Sequence, residues 1–239
     1  ILSTTIHTFG KGESDVAELL GDLMDRGRNP KVGTTVARGI VSARIRSEFQ
    51  TADEARSALD ETAGLVTERL GELVFGRDEQ TLEQAVGRVL ADRGKTLVTA
   101  ESCTGGLVGK YLTDIAGSSD YYHGGWVTYT YEAKQRELGV PAEMLRQHGA
   151  VSEPVARAMA EEALRESEAD YALAITGIAG PGGGTDQKPV GLVWFALGQR
   201  DGDQLDVTTE RHVFPGDRRM VRDRAARTAL NILRLRLLG

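Results

Sequence analysis

The sequence is poor in the residues and segments that mark several common protein classes. Cys103 is the one cysteine among 239 residues, which excludes an intrachain disulfide and a cysteine-based metal site. Apolar runs such as 191–197 are far shorter than the roughly 18 residues that a membrane helix needs. The N-terminus shows no charged segment before an apolar one, so we expect no signal peptide. These absences predict a cytoplasmic globular protein.

Positive charge and histidine are also scarce. The formal net charge is −6, which argues against extensive binding to nucleic acid, because neutralising phosphates needs a basic surface. Two local basic stretches remain, at 26–47 and at 217–236. The four histidines show neither the spacing of a zinc site nor the chain order of a known catalytic triad. A hydrolytic site in this chain would therefore use a base other than histidine.

Hydrophobic periodicity divides the chain into two units, 1–76 and 77–239. The first unit is predicted to contain a helix, a hairpin of two strands at 32–37 and 39–45, and a second helix. The segment 75–78 is predicted to be the linker to the second unit. This pattern is typical of a small α+β domain.

The second unit alternates segments with strand and helix patterns, which predicts an α/β layer architecture. It opens with a capping-box pattern at 81–84 that marks the start of a helix. Strands are predicted at 96–100, 126–131, 171–176, 190–197 and 205–214, and further helices at 105–112, 132–138, 152–166 and 217–237. The last two strands are expected to pair as a hairpin, so the sheet should be mixed.

The segment 99–106 carries the strongest chemical signal. It places Ser102 on a turn between a strand and a helix, where glycines let the backbone approach a ligand and the helix directs N–H groups toward an anion. The candidate donors to an oxyanion are the backbone N–H groups of Cys103, Thr104, Gly105 and Gly106. The alternative is that the hydroxyls of Ser102 and Thr104 only cap the helix.

A nucleophilic serine needs a base, and Lys134 is the candidate. It lies one turn into a predicted helix that follows a strand, where sites of α/β proteins gather. A lysine pKa of about 10.4 must be lowered by burial or by a nearby cation before the amine can accept a proton. Tyr129 could relay a proton or hold the lysine in line. The alternatives are a solvated helix lysine and a core tyrosine.

A glycine-rich loop at 176–185 follows the strand predicted at 171–176. Successive N–H groups in such a loop can form a nest for phosphate or carboxylate, although its glycine order does not match a dinucleotide-binding fingerprint. The candidate substrate-binding residues are Thr176, Gly177, Gly180 and Thr185, with Arg218 at the start of the last helix. The alternatives are a plain flexible connection and an arginine that coats an exposed helix face.

Six motifs occur in a fixed order along the second unit. They are Ala100-Glu-Ser-Cys-Thr-Gly-Gly106, Val127-Thr-Tyr-Thr-Tyr-Glu-Ala-Lys134, His148-Gly-Ala-Val-Ser-Glu-Pro154, Thr176-Gly-Ile-Ala-Gly-Pro181, Lys188-Pro-Val-Gly191 and Phe214-Pro-Gly-Asp-Arg218. Together they closely resemble the C-terminal domain of the CinA family over roughly residues 77–239. Residues 1–76 resemble the KH-type middle domain of longer CinA proteins.

The resemblance implies a nicotinamide mononucleotide deamidase, which hydrolyses the carboxamide to nicotinic acid mononucleotide and ammonia without a metal or cofactor. It implies a Ser/Lys arrangement at Ser102 and Lys134, with Tyr129 as the assisting hydroxyl. It also implies a homo-oligomer, with a dimer expected. One position departs from the family pattern, since Tyr131 stands where an asparagine is usual. A substrate contact of that asparagine would be altered here.

Two other functions are left open by the sequence. In the first, the protein is a binding module whose basic hairpin, with Arg44 and Arg46, contacts nucleic acid, or whose domains scaffold a competence or DNA-repair partner. Residues 1–76 lack the Gly-x-x-Gly loop of nucleotide-binding KH domains, which argues against nucleic acid as a partner. In the second, Tyr131 fills the pocket of an inactive homologue that serves in assembly or regulation.

Overall fold

The computed structural model describes residues 1–239 and contains two compact units, Ile1–Ala85 and Val86–Gly239. The first unit is built from β1 (Leu2–Phe9), α1 (Glu13–Leu20), β2 (Lys31–Ala37), β3 (Ile40–Ser47), α2 (Ala52–Leu70) and β4 (Val74–Arg77). Its strands form an antiparallel sheet in the order β2-β3-β1-β4. Apolar residues of both helices pack on this sheet in one core. The predicted small α+β unit is confirmed.

Two of these strands, β1 and β4, are missing from the sequence prediction. The buried positions of β1 include Thr4 and Thr8 beside Ile6, so the apolar alternation that marks a strand is hidden. The Thr8 hydroxyl donates to the carbonyl of Val41, which satisfies it in the core. The segment predicted as a linker, 75–78, lies mostly in β4, a strand of four residues that pairs with β1. Strands this short carry little periodic signal.

The second unit contains the mixed sheet that the sequence predicts. After α3 (Leu82–Asp92), which crosses the boundary between the units, its elements are β5 (Leu97–Glu101), α4 (Leu107–Thr113), β6 (Tyr122–Val127), α5 (Tyr131–Leu138), α6 (Ala142–His148), α7 (Glu153–Arg165), β7 (Tyr171–Gly177), β8 (Leu192–Asp201), β9 (Gln204–Val213) and α8 (Arg218–Leu238). The strand order is β6-β5-β7-β8-β9. Strand β5 runs parallel to β6 and β7, whereas β7, β8 and β9 pair antiparallel.

The core of the second unit surrounds its central strand. Residues 171–176 of β7 are all buried, as expected for a strand covered on both faces. Helix α7 packs its alanine-rich face on β5, β7 and β8, and α8 packs on α4, β7 and β8. None of the helices is both long enough and apolar enough to cross a membrane. The parallel strands β5, β6 and β7 end at one edge of the sheet, and the loops after them build the candidate site.

The strand predicted at 126–131 is wrong in its position. The observed strand β6 covers Tyr122–Val127 and lies at the edge of the sheet, with alternate residues exposed. Gly124 and Gly125 at its centre weaken the strand pattern, and the β-branched and aromatic run 127–131 mimics one. Gly125 is required because a Cβ there would lie 2.1 Å from the Thr99 hydroxyl. The chain leaves the sheet at residue 128, and Thr130 caps α5 by accepting the N–H of Ala133.

Replacing Gly191 with alanine is expected to lower the free energy of unfolding by about 2–5 kcal/mol. Gly191 has φ +93°, and a Cβ there would lie 2.1 Å from the carbonyl oxygen of Phe214. Urea unfolding measures the loss, and Gly182→Ala is the matched control because a Cβ at Gly182 meets no atom within 4 Å. Equal stability of the two variants would contradict this account of Gly191.

Candidate active site

Ser102 and Lys134 meet beyond the carboxyl ends of the parallel strands. Ser102 directly follows β5, and Lys134 lies in the first turns of α5. The Lys134 Nζ is 2.9 Å from the Ser102 Oγ, and it also donates to the carbonyl of Thr128 at 2.5 Å. The side chains are buried, with 1% of Lys134 and 8% of Ser102 exposed. The structure therefore places a hydroxyl and an amine in direct contact, away from solvent.

The surroundings of Lys134 favour the neutral amine. Burial is the largest cause of a fall in the pKa of Lys134 from 10.5 to about 8, with the neighbouring Cys103 thiol acting in the opposite direction. The hydrogen-bond partners of Nζ are a hydroxyl and a carbonyl, and no carboxylate pairs with it. An amine with this pKa is partly unprotonated near neutral pH and can accept a proton from a serine.

The thiol of Cys103, next to Ser102, is held in its protonated form. It is buried, and burial raises the pKa of Cys103 to about 12. Its sulfur packs against Gly177 at the end of β7, where an added Cβ would lie 3.1 Å from the sulfur. The structure thus gives Cys103 and Gly177 a packing role beside the serine.

The turn after Ser102 corrects the predicted set of oxyanion donors. The N–H of Gly105 closes the turn by donating to the Ser102 carbonyl at 3.0 Å, so it is not available to a ligand. The N–H groups of Cys103, Thr104 and Gly106 have no hydrogen-bond partner within the protein. Gly105 and Gly106 have φ values of +61° and +85°, which favour glycine. The candidate donors nearest Ser102 are therefore the N–H groups of Cys103 and Thr104.

Helix α4 is anchored by a carboxylate that the sequence analysis did not single out. Glu101 is 1% exposed, and its carboxylate accepts the N–H groups of Val108 at 3.1 Å and Gly109 at 2.9 Å. Two of the free donors of the helix N-terminus are thus used inside the protein. Glu101 holds α4 against the end of β5 and so supports the turn that carries Ser102.

Tyr129, the predicted assisting hydroxyl, is not hydrogen-bonded to Ser102 or Lys134. It lies in the loop after β6 with 54% of its surface exposed, and its hydroxyl accepts a hydrogen bond from Arg218 at 2.5 Å. Arg218 also donates to the carbonyl of Gly180 at 2.8 Å. The arginine therefore links the loop after β6 to the glycine-rich loop, and no carboxylate neutralises its charge.

The residues predicted in the glycine-rich loop separate into two groups. Thr176 and Gly177 end β7 beside the Ser102 turn, and the buried Thr176 hydroxyl donates to the carbonyl of Ala150 at 2.8 Å. Thr185 lies instead in an exposed turn, where it exchanges two hydrogen bonds with Lys188. The structure does not bring Thr185 to the Ser/Lys pair.

Tyr131 binds the loop that precedes α7. Its hydroxyl accepts the N–H of Ala150 at 3.2 Å, and 43% of its surface is exposed. Lys188 donates to the carbonyl of His148 in the same loop at 2.6 Å. The tyrosine at this position therefore has a structural partner on the loop that also receives the Thr176 hydroxyl.

Two further contributors to the site, Thr128 and Arg222, were missed by sequence reasoning. The Thr128 carbonyl holds Lys134, a backbone role that no side-chain motif reveals. Arg222, on α8, donates to the carbonyls of Cys103 and Thr104, more than a hundred positions earlier in the chain. A signal for Arg222 was its spacing of four residues from Arg218, which places both on one helix face. The chain has no cluster of three or more histidine, cysteine or acidic residues that could hold a metal ion.

Comparison with known proteins covers both units. The family model of the CinA C-terminal domain matches residues 79–237, and that of the damage-inducible protein CinA KH domain matches residues 3–76. A competence-damage inducible protein of Symbiobacterium thermophilum is 49% identical over 246 residues, which cover 100% of this chain and 57% of that protein. A CinA-like protein of Synechococcus is 44% identical, and the match covers 100% of this chain and 56% of that protein. The chain thus spans just over half the length of these relatives.

Solved structures resemble the second unit. A CinA superfamily protein from Klebsiella pneumoniae is 43% identical with a TM-score of 0.62, covering 66% of this chain and 96% of that one. The competence/damage inducible protein CihA from Agrobacterium tumefaciens is 44% identical with a TM-score of 0.63, and the match covers 66% of this chain and 94% of that one. With family models matched across nearly its whole length, the chain belongs to the CinA family.

Proposed function

We propose that the protein hydrolyses the carboxamide of nicotinamide mononucleotide to nicotinic acid mononucleotide and ammonia, with Ser102 as nucleophile and Lys134 as base. The observation that carries the proposal is the buried contact of 2.9 Å between Nζ and Oγ. The low pKa of Lys134 supports it, because the amine must be neutral to act as a base. The choice of substrate follows from the six motifs that resemble the CinA deamidase domain.

The first half of the reaction forms an acyl-enzyme. Neutral Lys134 accepts the proton of Ser102 as Oγ attacks the carboxamide carbon. An N–H of Lys134 meanwhile donates to the Thr128 carbonyl, which holds the amine in place. The oxygen of the tetrahedral intermediate becomes negative and is stabilised by the N–H groups of Cys103 and Thr104, each worth roughly 3–4 kcal/mol.

The second half of the reaction restores the serine. Protonated Lys134 returns its proton to the amide nitrogen, which leaves as ammonia. Water then attacks the acyl carbon while Lys134 accepts one of its protons, and Ser102 departs as a hydroxyl after that proton is returned. The pyridine carboxylic acid loses its proton to solvent and leaves as the carboxylate, so the reaction consumes one water and no cofactor.

Arg218 is the candidate ligand of the substrate phosphate. Its exposed guanidinium is bound to the neutral oxygens of Tyr129 and Gly180, which leaves its positive charge available to an anion. In this proposal Tyr129 orients Arg218 rather than moving a proton. The nicotinamide riboside, which lacks the phosphate, should then be a poorer substrate than the mononucleotide.

The proposed function is tested by assaying the purified chain with nicotinamide mononucleotide. Ammonia is measured by a coupled enzymatic assay and the mononucleotide product by chromatography, and equal amounts of the two are expected. The free base nicotinamide and the riboside serve as comparison substrates. No release of ammonia from millimolar mononucleotide would overturn the proposal.

The rate is expected to rise with pH and to reach half its maximum near pH 8. Since the base form of Lys134 is required, lowering the pH below its pKa of about 8 protonates it and removes activity about tenfold per pH unit. The kcat/KM profile from pH 6 to 10 measures this, with circular dichroism to verify folding across the range. A profile that stays flat between pH 6 and 8 would contradict a lysine base.

A further inference from the structure

Arg222 is bound to the backbone of the turn that carries Ser102. It lies in the second turn of α8, where its Nε donates to the Cys103 carbonyl at 3.1 Å and its Nη2 to the Thr104 carbonyl at 2.7 Å. A Cβ on Gly105 would lie 3.2 Å from this Nη2, so the absence of a side chain there lets the guanidinium approach the turn. The planar fork of an arginine suits two adjacent carbonyls.

These hydrogen bonds fix the direction of one candidate oxyanion donor, the Thr104 N–H, and of the turn beside it. In a trans peptide the C=O and N–H groups of one plane point in opposite directions. The Cys103 carbonyl shares a peptide plane with the Thr104 N–H, so holding the carbonyl toward Arg222 directs this N–H away from α8. The Thr104 carbonyl shares its plane with the Gly105 N–H, which closes the turn on Ser102. Arg222 thus orients two successive peptide planes.

The positive charge of Arg222 also favours binding of an oxyanion at this turn. Its hydrogen bonds go to backbone carbonyls, and no carboxylate forms an ion pair with it. A cation bound to a carbonyl polarises the peptide and strengthens the N–H on the other side of the plane as a donor. The positive charge also acts on the Cys103 thiol, whose pKa it lowers against the larger effect of burial.

We propose that Arg222 is a positioning residue that aims and strengthens the Thr104 N–H, one of the two candidate donors to the oxyanion next to Ser102. It touches neither the nucleophile nor the base, so it acts through the backbone of Cys103 and Thr104. The inference rests on the proposed nucleophilic role of Ser102, but it does not depend on which amide the enzyme hydrolyses. Its test can therefore use a probe that reports on the serine alone.

The probe is a fluorophosphonate, which reacts with activated serines. Ser102 Oγ forms a bond to phosphorus, fluoride leaves, and the serine proton passes to Lys134, while the phosphoryl oxygen occupies the oxyanion position. Intact-protein mass spectrometry measures the labelling rate, with Ser102→Ala as the blank. We expect the Arg222→Ala variant to label about 10²-fold more slowly, which is the effect of losing one oxyanion donor.

The matched control is Arg219→Ala, which removes the same side chain from the same helix. Arg219 is exposed and makes no hydrogen bond or ion pair, so the labelling rate of the Arg219→Ala variant should stay within about twofold of that of the original chain.

Adding guanidinium chloride at tens of millimolar should restore labelling of the Arg222→Ala variant, because the free guanidinium ion can fill the position of the missing side chain. With an active substrate, kcat should fall while KM stays unchanged, since the donors act in the transition state.

Each result decides the proposal. Equal labelling rates for Arg222→Ala and the original chain would overturn it, and so would a loss that guanidinium does not restore. A wild-type chain that the probe does not label at Ser102 would overturn both this inference and the proposed function. Normal labelling and guanidinium rescue, without hydrolysis of nicotinamide mononucleotide, would support the role of Arg222 and overturn only the proposed substrate.

Discussion

The Ser102→Ala variant is expected to lose roughly 10⁴–10⁶-fold of the ammonia-releasing activity, as removal of a catalytic nucleophile does in serine hydrolases. The acyl-enzyme route needs the Ser102 oxygen, and the adjacent Cys103 thiol remains protonated because burial raises its pKa to about 12. Lys134 keeps its hydrogen bond to the Thr128 carbonyl, so folding should be preserved. The loss should therefore appear in turnover and not in stability.

Steady-state ammonia release and thermal unfolding measure these two effects. The control is Ser119→Ala, which removes an exposed serine hydroxyl from the same unit. Acid-quenched mixtures of the original chain and substrate should contain a nicotinoyl ester on the Ser102 peptide, detected by mass spectrometry. If Ser102→Ala keeps more than a tenth of the activity, water attacks the amide directly and the acyl-enzyme mechanism is wrong.

Replacing Lys134 with methionine is expected to lower turnover by roughly 10²–10⁴-fold, the usual contribution of a general base. Methionine fills a similar volume without an amine. The Lys134→Arg variant should also be inactive, because a guanidinium keeps the positive charge but does not lose its proton in proteins. An active Lys134→Arg variant would show that the site needs a charge rather than a base.

The same Lys134→Met substitution is expected to make the protein more stable. The pKa of Lys134 falls from 10.5 in the unfolded chain to about 8 in the folded one, so below pH 8 the folded state holds a buried ammonium. This burial costs about 3 kcal/mol at neutral pH, and the cost disappears as the pH rises from 8 toward 10.5. Methionine avoids it, with an expected gain of about 1–3 kcal/mol.

Urea unfolding at pH 7 and at pH 10 measures this gain, which should be smaller at the higher pH. Lys110→Met is the control, because Lys110 is exposed and its ion pair with Asp114 lies at the surface. Higher stability combined with lost turnover also excludes misfolding as the cause of inactivity. A destabilised Lys134→Met variant would contradict the claim that the buried amine is costly to the fold.

The elements with long, regular apolar patterns were predicted well. Helix α2 carries buried residues at Ala55, Leu59, Ala63, Val66 and Leu70, and all of them follow the helical period. Strand β1 was missed because threonines occupy buried positions, where their hydroxyls are satisfied by partners far along the chain. These partners come close to the threonines only in the folded sheet, so the local sequence pattern alone could not identify this strand.

The candidate site also contains residues that the local sequence predicted and contacts that it did not. Ser102 and Lys134 stand out because each carries a hydroxyl or an amine in a local pattern of a strand end, a turn and a helix start. Tyr129 was predicted to relay a proton or to hold Lys134 in line, whereas the observed partner of its hydroxyl is Arg218. The oxyanion donors were predicted to be the N–H groups of residues 103–106, and the hydrogen bond from the Gly105 N–H to the Ser102 carbonyl removes one of them. These details depend on backbone direction, which residue identity does not specify.

Family membership, the mixed α/β class of the second unit and the candidate pair of Ser102 and Lys134 could be inferred from residue order alone, because motif spacing and hydrophobic period are local properties. The protonation of Lys134, the carbonyl of Thr128 that holds it and the contact of Arg222 with the turn needed the folded chain. Desolvation arises only when distant segments bury a group together. Arg222 lies 118 and 119 positions from its carbonyl partners in the sequence, and the residues beside it in the chain do not indicate which distant segment it will contact.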